Sequence, residues 1–504
     1  MSYRQSGSSN TATGCGVALV IGAIALLIMI AAAPYYFTQF WWEFRANWFW
    51  LIPLVVLALM AWAAGTARSV GLWFVTAGAF VCTLVFWSTH SYQEDRYYVA
   101  PTQVTTGPVP ELAVRPPFNV SEQQVRPNLG EINGDTGTTM YLPDQRAFTT
   151  PVEQRGALTG YQVLLTQHMT TEGRNTPQLC HFGPAADRRF GGLFSHSLER
   201  LINTQQRFVN WDDDDAYGYC AGPDHPVLVA PLKEQDGWLV VVERPAGLAV
   251  YDGVTGELRI VTDPREIAKV PGPTYPLSLA AAQRDALGAI NGFSDWFWAR
   301  AGWELPDDID EINSSNTTDF VQATTKDGTP QYVNMLTGRG SATAIATITT
   351  VDARLTTLDG LAPLVVHHTR PTWQSTESII QRVQADFGDI FRDQPKAHVF
   401  EVAALDSQRW VATIALPQNM LYRVVGFGDL HEAPCLLALT GEQLRCGPAR
   451  GGTNLGGPVT GQGPASPAPA VGVPGPDDWA KLTKPQLIDI IQKASQELAN
   501  RPGQ

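Results

Sequence analysis

Three long apolar runs within the first ninety residues constrain this chain more than any other feature. They occupy residues 14–33, 48–65 and 71–89, and each is long enough to cross a hydrocarbon core of about 30 Å as a helix. The ends of these runs carry aromatic side chains, which prefer the headgroup layer: Tyr35, Tyr36, Trp41, Trp42, Trp48 and Trp50. We therefore predict a short tail over 1–13 and three transmembrane helices over 14–92.

Two other interpretations of the apolar runs are weaker. A cleaved signal peptide would need a basic flank and a cleavage site, yet the first run has only Arg4 before it and Pro34 directly after three alanines. A buried hairpin in a soluble protein would leave too much apolar surface to hide. We expect all three runs to be retained in the bilayer.

Sparse cations indicate the orientation of the spans. Arg4 precedes the first run and Arg68 follows the second, whereas Arg45 lies on the other side close to Glu43. Because cytoplasmic loops carry the excess of Lys and Arg, this pattern favours a cytoplasmic amino terminus. With three crossings, every residue after about 90 would then be extracytoplasmic, and the protein would be a multi-pass protein of the cell membrane.

The cysteines agree with an oxidising compartment. Two of the six, Cys15 and Cys82, lie within spans, and the polar part of the chain holds an even number: Cys180, Cys220, Cys435 and Cys446. Four cysteines allow three pairings, of which Cys180 with Cys220 and Cys435 with Cys446 is the most economical. In the chain-entropy model the first bridge would add roughly 4 kcal/mol and the second roughly 3 kcal/mol to the free energy of unfolding. Four free thiols in a cytosolic domain remain the alternative.

The polar part of the chain predicts an α+β fold in two units. Residues 93–155 are rich in Pro, Gly and polar side chains, which is typical of an extended linker. Residues 156–310 and 311–447 each combine β-like runs with an amphipathic helix and close on a Thr-Gly-Glu turn. We predict two helix-on-antiparallel-sheet domains that arose by duplication or acquired the shared turn by chance.

An aromatic cluster lies between the two units. It is either a recognition surface or, as we favour, a core plug between domains, and it consists of Trp296, Phe297, Trp298 and Trp303.

The carboxyl-terminal part of the chain differs from the rest in composition. Residues 448–476 are dominated by Gly, Pro and Ala and predict a disordered linker. Residues 477–504 predict an amphipathic helix, which Thr483 and Gln486 begin as a capping box. We expect this helix to dock on a partner, to pack back on its own domain or to assemble with copies of itself through Leu487, Ile488, Ile491 and Leu498.

Patterns of known chemistry are not evident in the sequence. The formal net charge of -13 argues against nucleic acid as a partner. The acidic run 212–215 lacks the spacing of a calcium loop and predicts a solvated acidic loop. The histidines lack zinc-ligand spacing, Ser195-His196 lacks a nucleophile elbow, and a phosphate-binding glycine loop is missing. We predict no catalytic, cofactor-binding or metal-binding residues.

One short stretch resembles a known family. Residues 247–261 read as a strand, a turn at Thr255-Gly256 and a second strand. They resemble the closing hairpin of PepSY-like domains, which are bacterial extracytoplasmic modules with a helix packed on an antiparallel sheet, often in tandem on membrane proteins. The resemblance is carried by Val250, Asp252, Thr255, Gly256, Glu257 and Leu258. It implies binding, assembly or regulation of envelope proteins without catalysis. The second copy departs from this pattern at Ala438 and Leu439.

These observations favour a non-enzymatic, membrane-anchored extracytoplasmic protein that binds or organises other components of a bacterial envelope. Its expected partners are the lipid bilayer and an envelope protein or further copies of the chain. A subunit of a secretion, conjugation or phage-exclusion apparatus is one alternative, and an envelope hydrolase with an unrecognised site is another. Arginine outnumbers lysine, which is typical of a GC-rich bacterial genome or its phage.

Overall fold

Two long apolar helices form a helical hairpin at the start of the described chain. The computed structural model describes Gly22, Ile24 and residues 33–448 except for 68, 131, 155–157, 307–319 and 430. Helix α1 spans Pro34–Ala67 and helix α2 spans Val70–Val99. In an 18-residue apolar stretch of each helix, only 11% of the residues in α1 and 6% of those in α2 are buried. The two helices therefore have the length and exposure of membrane spans.

The two helices correspond to the second and third expected spans. Apart from Gly22, Ile24 and Ala33, the first expected span at 14–33 lies outside the described residues, as do Cys15 and the tail over 1–13. The linker and amphipathic helix expected after residue 448, with Leu487, Ile488, Ile491 and Leu498, also lie outside them. The protein therefore has two candidate membrane helices in the described part of its chain.

The remainder of the described chain is a mixed α+β body. Its first part contains β1 Gln103–Thr105, α3 Phe118–Gln123, α4 Val125–Asn128, β2 Gly134–Thr136, β3 Met140–Leu142, β4 Ala147–Gln154, β5 Tyr161–Met169 and β6 Asn175–His181. After these come α5 Leu198–Gln205, β7 Val209–Asn210, β8 Tyr217–Gly222, β9 His225–Asp236, β10 Val242–Asp252, β11 Leu258–Val261, α6 Pro264–Ile267, α7 Leu277–Asp285 and α8 Phe293–Phe297.

The second part of the body has a similar content. It contains β12 Trp303–Glu304, β13 Val321–Thr324, β14 Pro330–Gly338, β15 Ile345–Asp352, β16 Leu364–Trp373, α9 Thr376–Asp386, α10 Gly388–Asp393, β17 His398–Ala404, β18 Arg409–Leu416, β19 Asn419–Phe427, β20 Cys435–Leu437 and β21 Gln443–Cys446.

These strands form four sheets, with antiparallel pairing except where β1 joins β16 in parallel. The strand orders are β2-β4-β5-β6 with β3 beside β4, β11-β10-β9-β7 with β8 beside β9, β1-β16-β15-β14-β12 with β13 beside β14, and β17-β18-β19-β20-β21.

In each half of the body a helix packs against an antiparallel sheet. In the first half Ser197 caps α5, and Leu198 and Ile202 pack against the β8–β11 sheet. In the second half Ser375 caps α9, whose Ile379 and Val383 pack against the β17–β21 sheet. Both halves thus show the order of three antiparallel strands, helix and meander.

The two halves share a hydrophobic core. The face of the β8–β11 sheet that is turned away from α5 carries Val229 and Val250. These side chains belong to the same buried cluster as Tyr332 and Val351 of the second half, and Leu279 of α7 joins it. Separation of the halves would expose this apolar surface, so they do not pack as independent domains.

Both expected hairpins and both expected disulfides are present. The chain turns at Thr255-Gly256 between β10 and β11, where Asp252 Oδ1 accepts from the backbone N–H of Thr255 at 2.9 Å. It turns again between β20 and β21. Disulfides join Cys180 of β6 to Cys220 of β8 and Cys435 of β20 to Cys446 of β21, the pairing that sequence spacing favours.

Residues 93–155 do not form the extended linker that their composition predicts. The segment ends α2, contributes β1 to a sheet of the second half and supplies β2–β4 to a sheet of the first half. Residues 112–117, here called the strap, cross the second half, where Arg115 is buried. Its guanidinium donates two hydrogen bonds to Glu401 of β17, one of them 3.1 Å long, and a third to the Gln322 carbonyl at 2.6 Å.

This buried ion pair generates a stability prediction. Both side chains of the Arg115–Glu401 pair are 7% exposed, and Glu401 Oε2 also accepts from the backbone N–H of Phe118 at 2.9 Å. Replacement of one partner leaves the other charge buried and unpaired, so Glu401→Gln should lower the free energy of unfolding by about 3 kcal/mol or more. Denaturant or thermal unfolding of the full chain in detergent measures this loss.

A matched control is available directly before the strap, at Glu111. The ion pair of Lys326 with Glu111 has a 2.7 Å contact, but Lys326 is 66% exposed. Lys326→Ala should therefore cost less than about 1 kcal/mol. Equal losses for the two substitutions would contradict the structural role assigned to the Arg115–Glu401 pair.

Candidate functional site

A cavity of about 570 Å³ lies where the two halves meet beneath the strap. Strands β3 and β5 of the first half line one side, and the turn between β13 and β14 lines the other. Its described lining consists of Ala113, Val114, Arg115, Pro116, Tyr141, Gln145, Arg146, His168, Met169, Thr170, Thr171, Thr324, Thr325, Lys326 and Gly328. This volume falls in the range of small-molecule and peptide side-chain sites.

The cavity, here called the cleft, is lined by apolar side chains with hydrogen-bond donors around them. Arg146, His168 and Lys326 lie at its exposed rim, and threonine hydroxyls lie beside them. The described lining contains no aspartate, glutamate, serine or cysteine. Such a surface can hold a ligand that carries acidic or carbonyl groups.

The second notable region is the junction between the helical hairpin and the body. Tyr98 of α2 accepts from the backbone N–H of Glu243 at 2.9 Å, and the Trp296 indole donates to Asp95 of α2 at 2.6 Å. On α1, Gln39 donates to Asn210 at 3.2 Å. Polar contacts of both helices with the body therefore fix how the hairpin leaves it.

Beside this junction a group of charges surrounds the buried Lys233; it is here called the Lys233 cluster and is made up of Lys233, Asp212, Asp215 and Glu243. The Lys233 ammonium group, on β9, is 2.5 Å from Asp212 and 2.8 Å from Glu243. Burial alone would lower the pKa of Lys233, but the carboxylates of Glu243 and Asp212 raise it above its ordinary value. Lys233 is therefore charged at neutral pH.

Asp215 is the most deeply buried acid of this cluster. Its carboxylate accepts from the backbone N–H of Ser278 at 2.9 Å and from the Ser278 hydroxyl at 2.5 Å. Complete burial raises the pKa of Asp215 to about 6, although Lys233 and Ser278 favour the charged form. Asp215 can therefore titrate near neutral pH at the base of the body.

The acidic run 212–215 is only partly the solvated loop that its composition predicts, because Asp212 and Asp213 are exposed whereas Asp215 is buried. Asp212 pairs with Lys233, and Asp215 is 1% exposed beneath α7. The sequence missed this arrangement because Lys233, Glu243 and Ser278 are distant along the chain and carry no pattern that links them to the run. Within the described residues, groups of three or more His, Cys, Asp and Glu side chains that could hold a metal are absent.

The histidine side chains of the body lie at separate places in the structure. His181 contacts Asp224 at 3.2 Å and His225 contacts Asp252 at 3.0 Å, both at the ends of strands. His196 lies beside Asp187, while His431 and the residues 367–368 lie in the second half. His367 and His368 point to opposite sides of β16, since His367 is buried and His368 packs on Trp303.

The aromatic cluster between the halves has two roles. Trp303 and Trp296 are half-buried against the shared core, as a core plug would be. Phe297 and Trp298 are instead 48% and 63% exposed, next to the end of α2. Only part of the cluster is therefore a plug.

The chain has no match among family models, curated proteins or solved structures. The function has to be argued from the arrangement of its own residues.

The raised pKa of Asp215 generates a pH prediction. A carboxyl whose folded pKa exceeds its unfolded value stabilises the fold below the unfolded pKa, and this contribution is lost as pH rises through about 6. Asp215→Asn removes that titration. Between pH 4 and pH 7 the wild-type chain should therefore lose about 3 kcal/mol relative to the variant. Unfolding of the full chain in detergent across this range measures the difference.

The neighbouring acid Asp214 supplies the control. It is half-buried and accepts from the Thr138 hydroxyl at 3.4 Å. Asp214→Asn leaves the Asp215 carboxyl in place, so this variant should keep the loss of stability that is assigned to Asp215. If Asp215→Asn keeps the wild-type slope, the carboxyl of Asp215 is not the group that titrates.

Proposed function

We propose that this is a non-enzymatic, membrane-anchored extracytoplasmic protein that binds or organises other components of a bacterial envelope. The observation that carries the proposal is the junction of the helical hairpin with a disulfide-bonded body. Both the start of α1 and the end of α2 contact the body, whereas the end of α1 at Ala67 and the start of α2 at Val70 lie at the far end of the hairpin. The body thus occupies one side of the bilayer and the turn the other.

The orientation follows from charge and cysteine chemistry. Arg45 of α1 donates to the backbone carbonyl of Gln235 at 3.2 Å and therefore lies on the body side together with two disulfides. Disulfides persist in oxidising compartments, which favours an extracytoplasmic body. The turn, next to Arg68 in the sequence, would be cytoplasmic. A third span over 14–33 would then leave the amino terminus in the cytoplasm.

The organisation of the body suits binding rather than catalysis. The cleft between the halves is concave and carries donors from Arg146, His168 and Lys326 at its rim. The repeated order of strands, helix and meander supports a duplicated unit, in line with the PepSY-like resemblance at residues 247–261. We assign ligand or partner contact to the cleft, and docking to the amphipathic helix expected over 477–504.

Thiol accessibility in spheroplasts tests the orientation. In a chain with Cys15→Ala and Cys82→Ala, Val254→Cys places a thiol on the exposed turn between β10 and β11, and Ser69→Cys places one at the turn of the helical hairpin. A membrane-impermeant maleimide should label Val254→Cys in intact spheroplasts and Ser69→Cys only after permeabilisation.

The native cysteines provide an internal check. In the parent chain with only Cys15 and Cys82 replaced, the four remaining thiols should react only after reduction and denaturation, because they are bridged. Labelling of Ser69→Cys in intact spheroplasts, with Val254→Cys protected, would place the body in the cytosol and reject the proposal.

A further inference from the structure

We infer that the body rests on the bilayer and inserts the loop between β9 and β10 into the headgroup layer beside the helical hairpin. This interfacial loop comprises residues 237–241, and its Trp238 and Leu239 side chains are 75% and 66% exposed. The inference rests on the proposed membrane crossing of α1 and α2. It adds a second membrane contact, which the body makes through its own side chains.

The lengths of the helices locate the membrane surface. Helix α1 has 34 residues and α2 has 30, which correspond to about 51 and 45 Å at the rise of an α-helix. A hydrocarbon core takes about 20 residues of each helix. Counted from the turn of the helical hairpin, this length ends near residue 48 on α1 and near residue 89 on α2. Arg45 and His90 therefore lie at the hydrocarbon boundary.

The interfacial loop is attached to the hairpin at this level. The His90 imidazole donates to the Leu239 carbonyl over 2.7 Å, and the Arg45 guanidinium donates to the Gly237 carbonyl. These contacts hold Trp238 and Leu239 at the boundary itself. An exposed Trp next to an exposed Leu is unfavourable in water, but it matches the interfacial layer, where an indole ring keeps its N–H hydrated.

Further apolar side chains surround the helices farther from the turn. Phe293 packs on Tyr92 of α2 with ring centres 5.3 Å apart and is 43% exposed, and the neighbouring Phe297 and Trp298 are exposed as well. On the side of α1, Phe208 is 44% exposed and packs on Phe37 at 5.9 Å, about 16 Å beyond the hydrocarbon boundary near residue 48. The apolar surface of the hairpin thus continues onto the body.

This continuity identifies the bilayer as the occupant. Trp238 and Leu239 lie directly beside helix surfaces that face lipid, at the height where those surfaces end. A second copy of the chain or another protein could cover the same surface only by displacing lipid around both helices. The lipid interface requires no such displacement, because it already surrounds the hairpin.

The β9–β10 hairpin provides a matched control position. Strand β10 runs for 11 residues from the interfacial loop to the turn that carries Val254, which is 40% exposed. At the rise of an extended strand, the two turns are about 33 Å apart. Trp238 and Val254 are therefore exposed apolar residues at opposite ends of one structural element, of which only one end should touch lipid.

Nitroxide accessibility in lipid nanodiscs tests the inference with the full chain. Three single-thiol variants are labelled: Cys15→Ala with native Cys82; Trp238→Cys with Cys15→Ala and Cys82→Ala; and Val254→Cys in that same background. Collisions with oxygen report lipid, and collisions with a water-soluble nickel chelate report water. We expect the label at Cys82 to contact lipid and the label at position 254 to contact water. The label at position 238 should be immersed on the order of 5 Å into the headgroup layer.

The outcomes separate the inference from the proposed function. If the nickel chelate reaches position 238 as readily as position 254 while Cys82 lies in lipid, the insertion of the interfacial loop is wrong, but the membrane anchor stands. Low accessibility of position 238 to both reagents would show protein cover and would also overturn it. Nickel accessibility at Cys82, which is exposed on α2, would reject the membrane crossing itself.

Discussion

The attachment of the helical hairpin to the body is the constraint on which the rest of this structure depends. Hydrogen bonds that His90 and Gln39 donate, and one that the Tyr98 hydroxyl accepts, tie both helices to sheet and loop residues of the first half. Ring contacts of Phe37 and Trp41 with Phe208 add apolar area to the same joint. This mixture of polar and apolar contacts fixes both the position and the direction of the helical hairpin relative to the body, because hydrogen bonds are directional and apolar packing excludes water.

A network of charged side chains lies in the body beside its contact with the helical hairpin. Lys233, Asp212 and Glu243 lie close behind the contact of Tyr98 with β10, and Asp215 lies beneath α7. A buried carboxylate requires a cation or hydrogen-bond donors, and the Lys233 ammonium and the Ser278 backbone N–H supply them. The network links the acidic run to the strand that continues into the interfacial loop.

Local patterns predicted the elements, whereas distant contacts decided how the elements combine. The apolar runs predicted α1 and α2, and the amphipathic pattern within residues 311–447 predicted a helix that corresponds to α9. The strap was not predictable, because Arg115 and Glu401 are 286 residues apart and a Pro-rich stretch looks the same in a linker and in a buried crossing. The Lys233 cluster was missed for the same reason. The cleft likewise arises only when strands of both halves meet.

Photo-crosslinking across the joint tests this account most directly. With p-benzoylphenylalanine in place of Trp41, whose ring centre is 6.5 Å from that of Phe208, the full chain in native membranes should crosslink to its own peptide that contains Phe208. The same probe at Trp62, which is 71% exposed in the apolar part of α1, should crosslink lipid alone. Crosslinking to lipid alone at both positions would contradict the attachment of the helical hairpin to the body.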